Sequence, residues 1–142
     1  MTNKEKKDWL WRYKEALLDI DSWQRELEEW RTRAEKITQV VSDMPRGGKA
    51  LEVDDIVIKM DEIMDNIKKK VSESQKIKLE LEIAFEGLND GILEGLMKYR
   101  YINCLDWAQI AIVMGYSERQ IFNLHGKALL RLNPKECSQL QL

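Results

Sequence analysis

The side chains best suited to specific recognition lie close together, between Gly115 and Leu132. Arginine can bind guanine, and asparagine or glutamine can bind adenine, through paired hydrogen bonds to the base edge. Hydroxyl and ammonium groups suit phosphate oxygens. One predicted helix and its capping residue carry all of these groups, in Ser117, Arg119, Gln120, Asn123 and Lys127, and the acidic Glu118 lies among them. The set is therefore chemically able to bind double-stranded DNA and to distinguish its sequence.

Residues for catalysis or metal binding form no pattern in this sequence. It has no glycine-rich phosphate loop, no nucleophile with a histidine and a third partner, and no carboxylate pair in a plausible cleft. The one histidine, His125, lacks a cysteine or acidic partner at ligand spacing, and we expect it to lie near phosphate. Cys104 and Cys137 are too few and too far apart for a zinc site, so we expect both to be reduced and structurally incidental. The chain is predicted to be neither an enzyme nor a cofactor or metal protein.

Two short helices and a tight turn are predicted to present the polar face. Asp106 is a suitable N-cap for a helix from Trp107 to Met114, and Gly115 can adopt the positive φ that a sharp turn needs. Ser117 then caps a helix that reaches Leu132. Its predicted buried face is Ile121, Leu124, Ala128, Leu129 and Leu132, and that of the helix just before it is Trp107, Ile110, Ala111 and Met114. An earlier helix has the predicted face Leu93, Leu96 and Met97, with Ile92 beside it. This is a helix-turn-helix, whose last helix enters the major groove by its N-terminal end.

Upstream, apolar residues recur at alternating intervals of four and three, the heptad pattern of packed helices. Breaks at 42–48 and 87–91, rich in glycine, proline and asparagine, separate the elements. Each row of apolar positions with this spacing is here called a seam. The first seam is Trp9, Tyr13, Ala16, Ile20, Trp23, Leu27, Trp30, Ala34, Ile37 and Val41. The second is Val53, Val57, Met60, Met64, Ile67, Val71, Ser74, Lys78, Leu81, Phe85 and Leu88, with Ile77 and Ala84 beside it. We predict an antiparallel helical hairpin whose remaining apolar surface is covered by self-association, most simply as a homodimer.

The predicted fold class is therefore all-α. A long, coiled-coil-like helical hairpin spans residues 1–88, a helix-turn-helix spans 89–133, and a tail spans 134–142. Asn89 or Asp90 can cap the first helix of the second module, and Gly87, Gly91 and Gly95 predict a flexible junction before it. No apolar stretch is long enough for a signal peptide or a membrane span, so we expect a cytoplasmic protein that makes no membrane contact.

Charge is distributed unevenly along the chain. The net charge is −2, but residues 93–142 carry six basic and four acidic side chains, against eight and twelve in residues 43–92. Because phosphate neutralisation is local to the docking face, a basic C-terminal module is compatible with DNA binding. The run Lys68–Lys70 is expected to be a solvated face.

The stretch from Gly115 to Leu132 resembles the recognition helix of region 4 of bacterial sigma factors without a gap. The similarity includes the turn glycine, the capping hydroxyl and the closing Lys-Ala-Leu-x-x-Leu, and it extends to Tyr99–Tyr101 and to Trp107-x-x-Ile110-Ala111. The resemblance implies that Ser117 caps the helix and contacts phosphate, and that Lys127 lies near the DNA backbone or RNA polymerase. The side chains implied to face base edges are Glu118, Arg119, Gln120 and Asn123. Phe122 departs from the arginine usual in sigma factors, which implies a different base preference.

The whole chain is similar to the ArpU and RinA-like family of phage transcriptional regulators. Those proteins combine a helical N-terminal part and a Ser-x-x-Pro-x-Gly-like loop, as in residues 42–47, with the motif from Trp107 to Ser117. The resemblance implies a transcription activator of late phage or prophage genes in a Gram-positive host, with RNA polymerase as a further partner. Two other hypotheses remain: a small terminase-like DNA-packaging subunit that forms a ring, and an interaction module that binds polymerase and not DNA.

Overall fold

The computed structural model describes residues 1–41 and 49–134, and these residues form five α-helices. Two helices are long and three are short: α1 (Asn3–Val41), α2 (Lys49–Glu86), α3 (Gly91–Tyr101), α4 (Trp107–Met114) and α5 (Glu118–Arg131). The predicted all-α class with a long N-terminal helix pair is confirmed. The predicted break at 42–48 and most of the predicted tail, with Cys137, lie outside the described residues. Within the described ranges, no helix is both long and apolar enough to cross a bilayer.

The chain divides into two compact units that differ from the predicted modules. One consists of residues 16–73 and contains most of α1 and α2. The other combines Met1–Glu15 with the part of the chain from Ser74 onward. The beginning of α1 and the end of α2 therefore share a unit with α3, α4 and α5. A division of function at residue 88 stays a prediction.

The predicted seam of α2 is wrong at alternate positions. The structure buries Ile56, Ile63 and Ile77, and leaves Val57 and Met64 exposed. The predicted and the observed seams share Met60, Ile67 and Ser74. With these shared residues, each set of positions has alternating intervals of three and four, so periodicity alone cannot distinguish the two. The observed set also contains the half-buried Lys70, which was predicted to be solvated. Lys70 tolerates this position because its Nζ lies 3.6 Å from an Asp19 carboxylate oxygen and 3.3 Å from one of Glu73, and these contacts raise the pKa of the lysine.

The seam of α1 follows the prediction more closely. Tyr13, Ala16 and Ile20 are buried, but Leu10 is buried where Trp9 was predicted. In the unit that includes the first turns of α1, Arg12 forms an ion pair of 2.6 Å with Glu80 on α2. The four tryptophans of α1 are half-buried: Trp9, Trp11, Trp23 and Trp30.

The junction between α2 and α3 is short and capped. Asp90 is the N-cap of α3, since its carboxylate accepts hydrogen bonds from the backbone N–H groups of Ile92 and Leu93 at 3.0 and 3.2 Å. Asn89, the other predicted cap, adopts a φ of 53° in the turn. Gly91 and Gly95, predicted to lie in a flexible junction, are both part of α3. Ile92 is exposed, whereas the other predicted residues of its face are buried.

Candidate nucleic-acid interface

The turn between α4 and α5 is built from residues that were predicted to form it. Gly115 ends α4 with a φ of 73°, and its N–H group bonds to the carbonyl oxygen of Ala111 at 3.0 Å. The N–H of Tyr116 bonds to the same oxygen at 3.0 Å. Paired bonds of this kind satisfy the last carbonyls of a helix and reverse the chain within a few residues. The next helix therefore starts immediately after the turn.

Each of the two helices begins with a reciprocal capping box. In α4, the Asp106 carboxylate accepts from the Gln109 N–H at 2.8 Å, and the Gln109 side chain accepts from the Asp106 N–H at 3.0 Å. In α5, Ser117 and Gln120 repeat the arrangement at 3.2 and 2.8 Å. The predicted caps Asp106 and Ser117 are thus confirmed. Both pairs fix the first turn of a helix without help from distant residues.

The inner face of α5 packs on α3 and α4. Leu96, Ile110, Ala111 and Ile121 form one buried cluster, and Tyr99, Leu105, Trp107, Met114, Tyr116 and Leu124 pack around it. Further along α5, Ala128 and Leu129 are also buried. Each of the three helices contacts the other two. The predicted buried face of α5 is therefore present, with Leu124 only half-buried.

All six predicted site residues are exposed on or beside the first three turns of α5. They are Ser117, Glu118, Arg119, Gln120, Asn123 and Lys127. Three of them, Gln120, Asn123 and Lys127, line a shallow groove of about 230 Å³ together with Tyr116 and Leu124. Arg119 and Asn123 are four residues apart and so lie on one side of the helix. Glu118 occupies the first turn, where a carboxylate is favoured by the helix dipole but would repel phosphate.

Gln120 is partly committed to the helix itself. Its side-chain oxygen accepts the Ser117 N–H at 2.8 Å. Paired recognition of adenine needs both the oxygen and the nitrogen of a side-chain amide. With the capping box intact, Gln120 keeps only its NH₂ group for a ligand, so Arg119 and Asn123 are the residues better placed for paired contacts.

His125 does not lie on the exposed face, which corrects the prediction that it lies near phosphate. It is 7% exposed, and the Tyr101 hydroxyl lies 2.6 Å from its Nε2. Burial, assisted by the charges of Lys7 and Arg100, lowers the pKa of His125 to about 4, and burial raises the pKa of Tyr101 to about 12. Both groups are therefore neutral near pH 7, so the phenol donates and the imidazole accepts. The four-residue interval from the buried Ile121 could have indicated this inward position.

Phe122, the departure from the sigma-factor pattern, is half-exposed beside α4. Its ring meets that of Trp107 edge-to-face, with 5.3 Å between centroids. Trp107 in turn makes an edge contact of 4.7 Å with His125. The position thus contributes an aromatic contact between the start of α4 and the middle of α5, where an arginine would have contributed charge.

The start of α1 contacts α3 and α5, which the sequence did not reveal. The ring of Trp11 meets that of Tyr101 edge-to-face at 5.4 Å. The Arg100 guanidinium lies 4.8 Å from the centroid of the Trp11 ring and 4.3 Å from that of Trp107, and it donates to the Leu105 carbonyl at 3.0 Å. The Lys6 ammonium donates to the carbonyl oxygen of Leu129 at 2.6 Å, in the last turn of α5. Because these contacts join residues far apart in the sequence, the local spacing of apolar residues could not predict them.

These contacts change the local charge of the candidate interface. Residues 1–15 carry five basic and three acidic side chains, and they belong to the same compact unit as α5. Lys4 and Lys7 are exposed in the first turns of α1. The Lys6 ammonium, which bonds to Leu129, brings one of these charges to the last turn of α5. Residues 74–92 of the same unit carry two basic and four acidic side chains, so the unit as a whole has a net charge of +2, equal to that of residues 93–142 alone.

Cys104, the cysteine that lies within the described residues, is not at the candidate interface. Cys104 is a half-buried free thiol in the turn between α3 and α4, and burial raises its pKa. A raised pKa keeps the thiol protonated and unreactive near pH 7.

Comparison with known proteins gives one match. No curated protein and no solved structure matches the chain. A family model described as "Protein of unknown function (DUF1492)" matches residues 36–133, a range that includes α2 to α5 and so the whole candidate interface. The chain therefore belongs to the DUF1492 family of proteins of unknown function.

Proposed function

We propose that the protein is a sequence-specific regulator of transcription that binds double-stranded DNA through the N-terminal half of α5. The observation that carries the proposal is the exposure of six polar residues on a helix that a tight, glycine-containing turn holds against α4. A helix presented in this way can enter the major groove, which is wide enough for it.

The roles of the side chains follow from their chemistry. Arg119 is assigned to guanine and Asn123 to adenine. Ser117 and Lys127 are assigned to phosphate, since the Ser117 hydroxyl keeps a free proton when its oxygen accepts from Gln120. Gln120 adds a single donor, and Glu118 limits the contact to bases that offer a donor, such as cytosine. Lys4 and Lys7 supply further positive charge in the same compact unit.

The more specific identity is also a proposal. We assign the protein to the ArpU and RinA-like phage regulators on the motif from Trp107 to Ser117 and on the contiguous sigma-like helix. In that assignment it acts in the cytoplasm as a homodimer, activates late phage or prophage genes, and contacts host RNA polymerase. A dimer would double the phosphate contacts of each binding event.

The test is binding to a random-sequence duplex library, followed by affinity measurements on the enriched site and on a scrambled one. The wild-type chain is expected to enrich a defined motif. Arg119→Ala and Asn123→Ala should each weaken binding to that motif by about tenfold or more and relax preference at one position. Lys127→Ala should weaken binding to all sequences and lower the salt dependence by the equivalent of about one phosphate contact.

The matched control is Lys59→Ala with Lys69→Ala, which removes exposed lysines of α2 in the other compact unit. It should leave both affinity and motif unchanged. The proposal fails if the wild-type chain enriches no motif, or if the α2 lysines matter as much as Arg119 and Asn123.

One observation favours the interaction-module hypothesis as a second candidate. Ile112 on α4 is 81% exposed and Leu130 on α5 is 77% exposed, and Val113 beside Ile112 is also exposed. Exposed apolar side chains of this size suit a protein partner better than a phosphate backbone. If the Arg119 and Asn123 variants keep full DNA retention while Ile112→Asp loses capture of RNA polymerase, this second candidate replaces the first.

A further inference from the structure

The outer side of α2 carries apolar residues that its packing on α1 does not cover. Val57 is 48% exposed, and Met64 and Val71 are each 40% exposed, whereas the neighbouring Ile56 and Ile63 are buried. Val57, Met64 and Val71, here called the outer row, are spaced by seven residues. Residues seven apart lie on nearly the same line along a helix, so the outer row forms a continuous apolar strip over two heptads.

The outer row is symmetric about Met64. Val57 lies seven residues before it and Val71 seven residues after it. If two copies of α2 cross antiparallel with their Met64 residues at a two-fold axis, Val57 of one copy faces Val71 of the other. A two-fold contact uses the same patch on both subunits, so a strip with this symmetry is self-complementary.

The charges beside the outer row select the direction of the pairing. Asp54, Asp61 and Lys68 lie three residues before Val57, Met64 and Val71, so they flank the row on one side. Antiparallel pairing about Met64 places Asp61 of each copy beside Lys68 of the other and forms two equivalent ion pairs. Parallel two-fold pairing would instead place the flanking charges of the two copies on opposite sides of the contact, where Asp61 and Lys68 could not pair. Only the antiparallel arrangement gains these ion pairs, so it is favoured.

We infer that the outer row of α2 is the interface with a second copy of this chain, packed antiparallel and centred on Met64. The occupant is argued from the symmetry of the strip and from its charges. The surface lies in the unit formed by residues 16–73, whereas the proposed DNA contact lies on α5 in the other unit. The inference deepens the homodimer of the proposed function, but its test does not involve DNA, so the dimer contact and the DNA contact can each fail alone.

Cysteine cross-linking tests the geometry directly. In the full chain with Cys104→Ser and Cys137→Ser, Met64→Cys alone is expected to give a disulfide-linked dimer, because each Met64 meets its own counterpart. Val57→Cys and Val71→Cys should each stay monomeric alone and should cross-link when the two variants are mixed. A disulfide requires Cα atoms within about 7 Å, so these outcomes distinguish the two directions. If all three single variants cross-link equally, or none does, the inference is wrong.

The charges are tested by exchange, with molar mass measured by sedimentation. Asp61→Lys and Lys68→Asp should each weaken dimerisation by about tenfold, and the double variant should restore it to within about threefold of wild type. Leu79→Lys, at an exposed apolar position of α2 away from the outer row, is the matched control and should leave the dimer unchanged. A monomeric wild-type chain, a ring of many copies, or a double variant no better than the single ones would overturn the inference.

Discussion

At the start of α5, the side chain of Gln120 has a structural use that competes with base recognition. Its oxygen closes the capping box with Ser117, and the same box occurs in α4 between Asp106 and Gln109. A residue type suited to adenine is therefore also the residue type that fixes a helix start. The chemistry of the side chain alone could not distinguish helix capping from base recognition. The hydrogen-bond partners of Gln120 in the structure show that it caps the helix.

His125 is the residue whose environment most changes its chemistry. Its pKa is about 4 in the folded protein, below the ordinary value of 6.5, so the unfolded chain binds a proton first as the pH falls. The stabilisation from the neutral imidazole is complete above pH 6.5 and is lost between about pH 6.5 and 4. We expect the free energy of unfolding of the wild-type chain to fall in this window by about 1.4 kcal/mol per pH unit more than that of His125→Gln.

Urea unfolding at several pH values measures this difference. Tyr101→Phe is the matched control, because it removes the hydroxyl that bonds His125 while the histidine stays buried. Its profile should keep the pH dependence of wild type and lie lower throughout. Parallel profiles for wild type and His125→Gln would show that the histidine is not buried in its neutral form.

Among the elements, the turn between α4 and α5 depends on one backbone conformation. Gly115 has a φ of 73°, a region that costs other L-residues roughly 1–2 kcal/mol. Gly115→Ala should therefore lower the free energy of unfolding by about 1–2 kcal/mol, although an added Cβ would meet no atom within 4 Å.

Gly126→Ala is a control with the opposite expected sign. Gly126 lies within α5 and also has open space around its Cα. Alanine there should raise the free energy of unfolding by roughly 0.5–1 kcal/mol, since it reduces the freedom of the unfolded chain. Chemical denaturation of both variants tests the pair. Equal effects on stability would show that space, and not backbone conformation, governs these positions.

The elements also show which features the sequence could predict. The ends of α4 and the start of α5 were predictable, because Asp106, Gly115 and Ser117 act on their own neighbours. The register of α2 was not, because Ile56 and Val57 are both apolar, as are Ile63 and Met64, and the choice depends on packing against α1. For the candidate site, the exposed residues of α5 followed from the buried period, while the inward position of His125 and the double use of Gln120 required side-chain contacts.

In the molecule as a whole, the start of α1 is part of the unit that contains the candidate interface. Trp11 contacts Tyr101 and Arg100 on α3, although most of α1 and α2 separates them in sequence. Trp11→Ala should remove both aromatic contacts and lower the free energy of unfolding by roughly 2–4 kcal/mol. It should also increase hydrogen exchange of backbone amides in α3, α4 and α5.

Trp30→Ala is the matched control for this long-range effect. Trp30 is also half-buried on α1, but it belongs to the unit of residues 16–73. Its replacement should increase exchange within that unit and leave α5 unchanged. If Trp11→Ala leaves exchange in α5 at the wild-type level, residues 89–134 hold together without α1, as the predicted module boundary assumed.

The hydrogen bond from Lys6 to the carbonyl of Leu129 joins residues that lie 123 positions apart in the sequence. Translation proceeds from the N-terminus, so Lys6 and Trp11 emerge long before α5 exists. Residues 16–73 can complete their own contacts during elongation, whereas the other unit can close only after α5 has left the exit tunnel. Helix α5 would therefore acquire its final support only after the whole stretch from Lys6 to Leu129 has been made, and the binding proposed for it could not begin earlier.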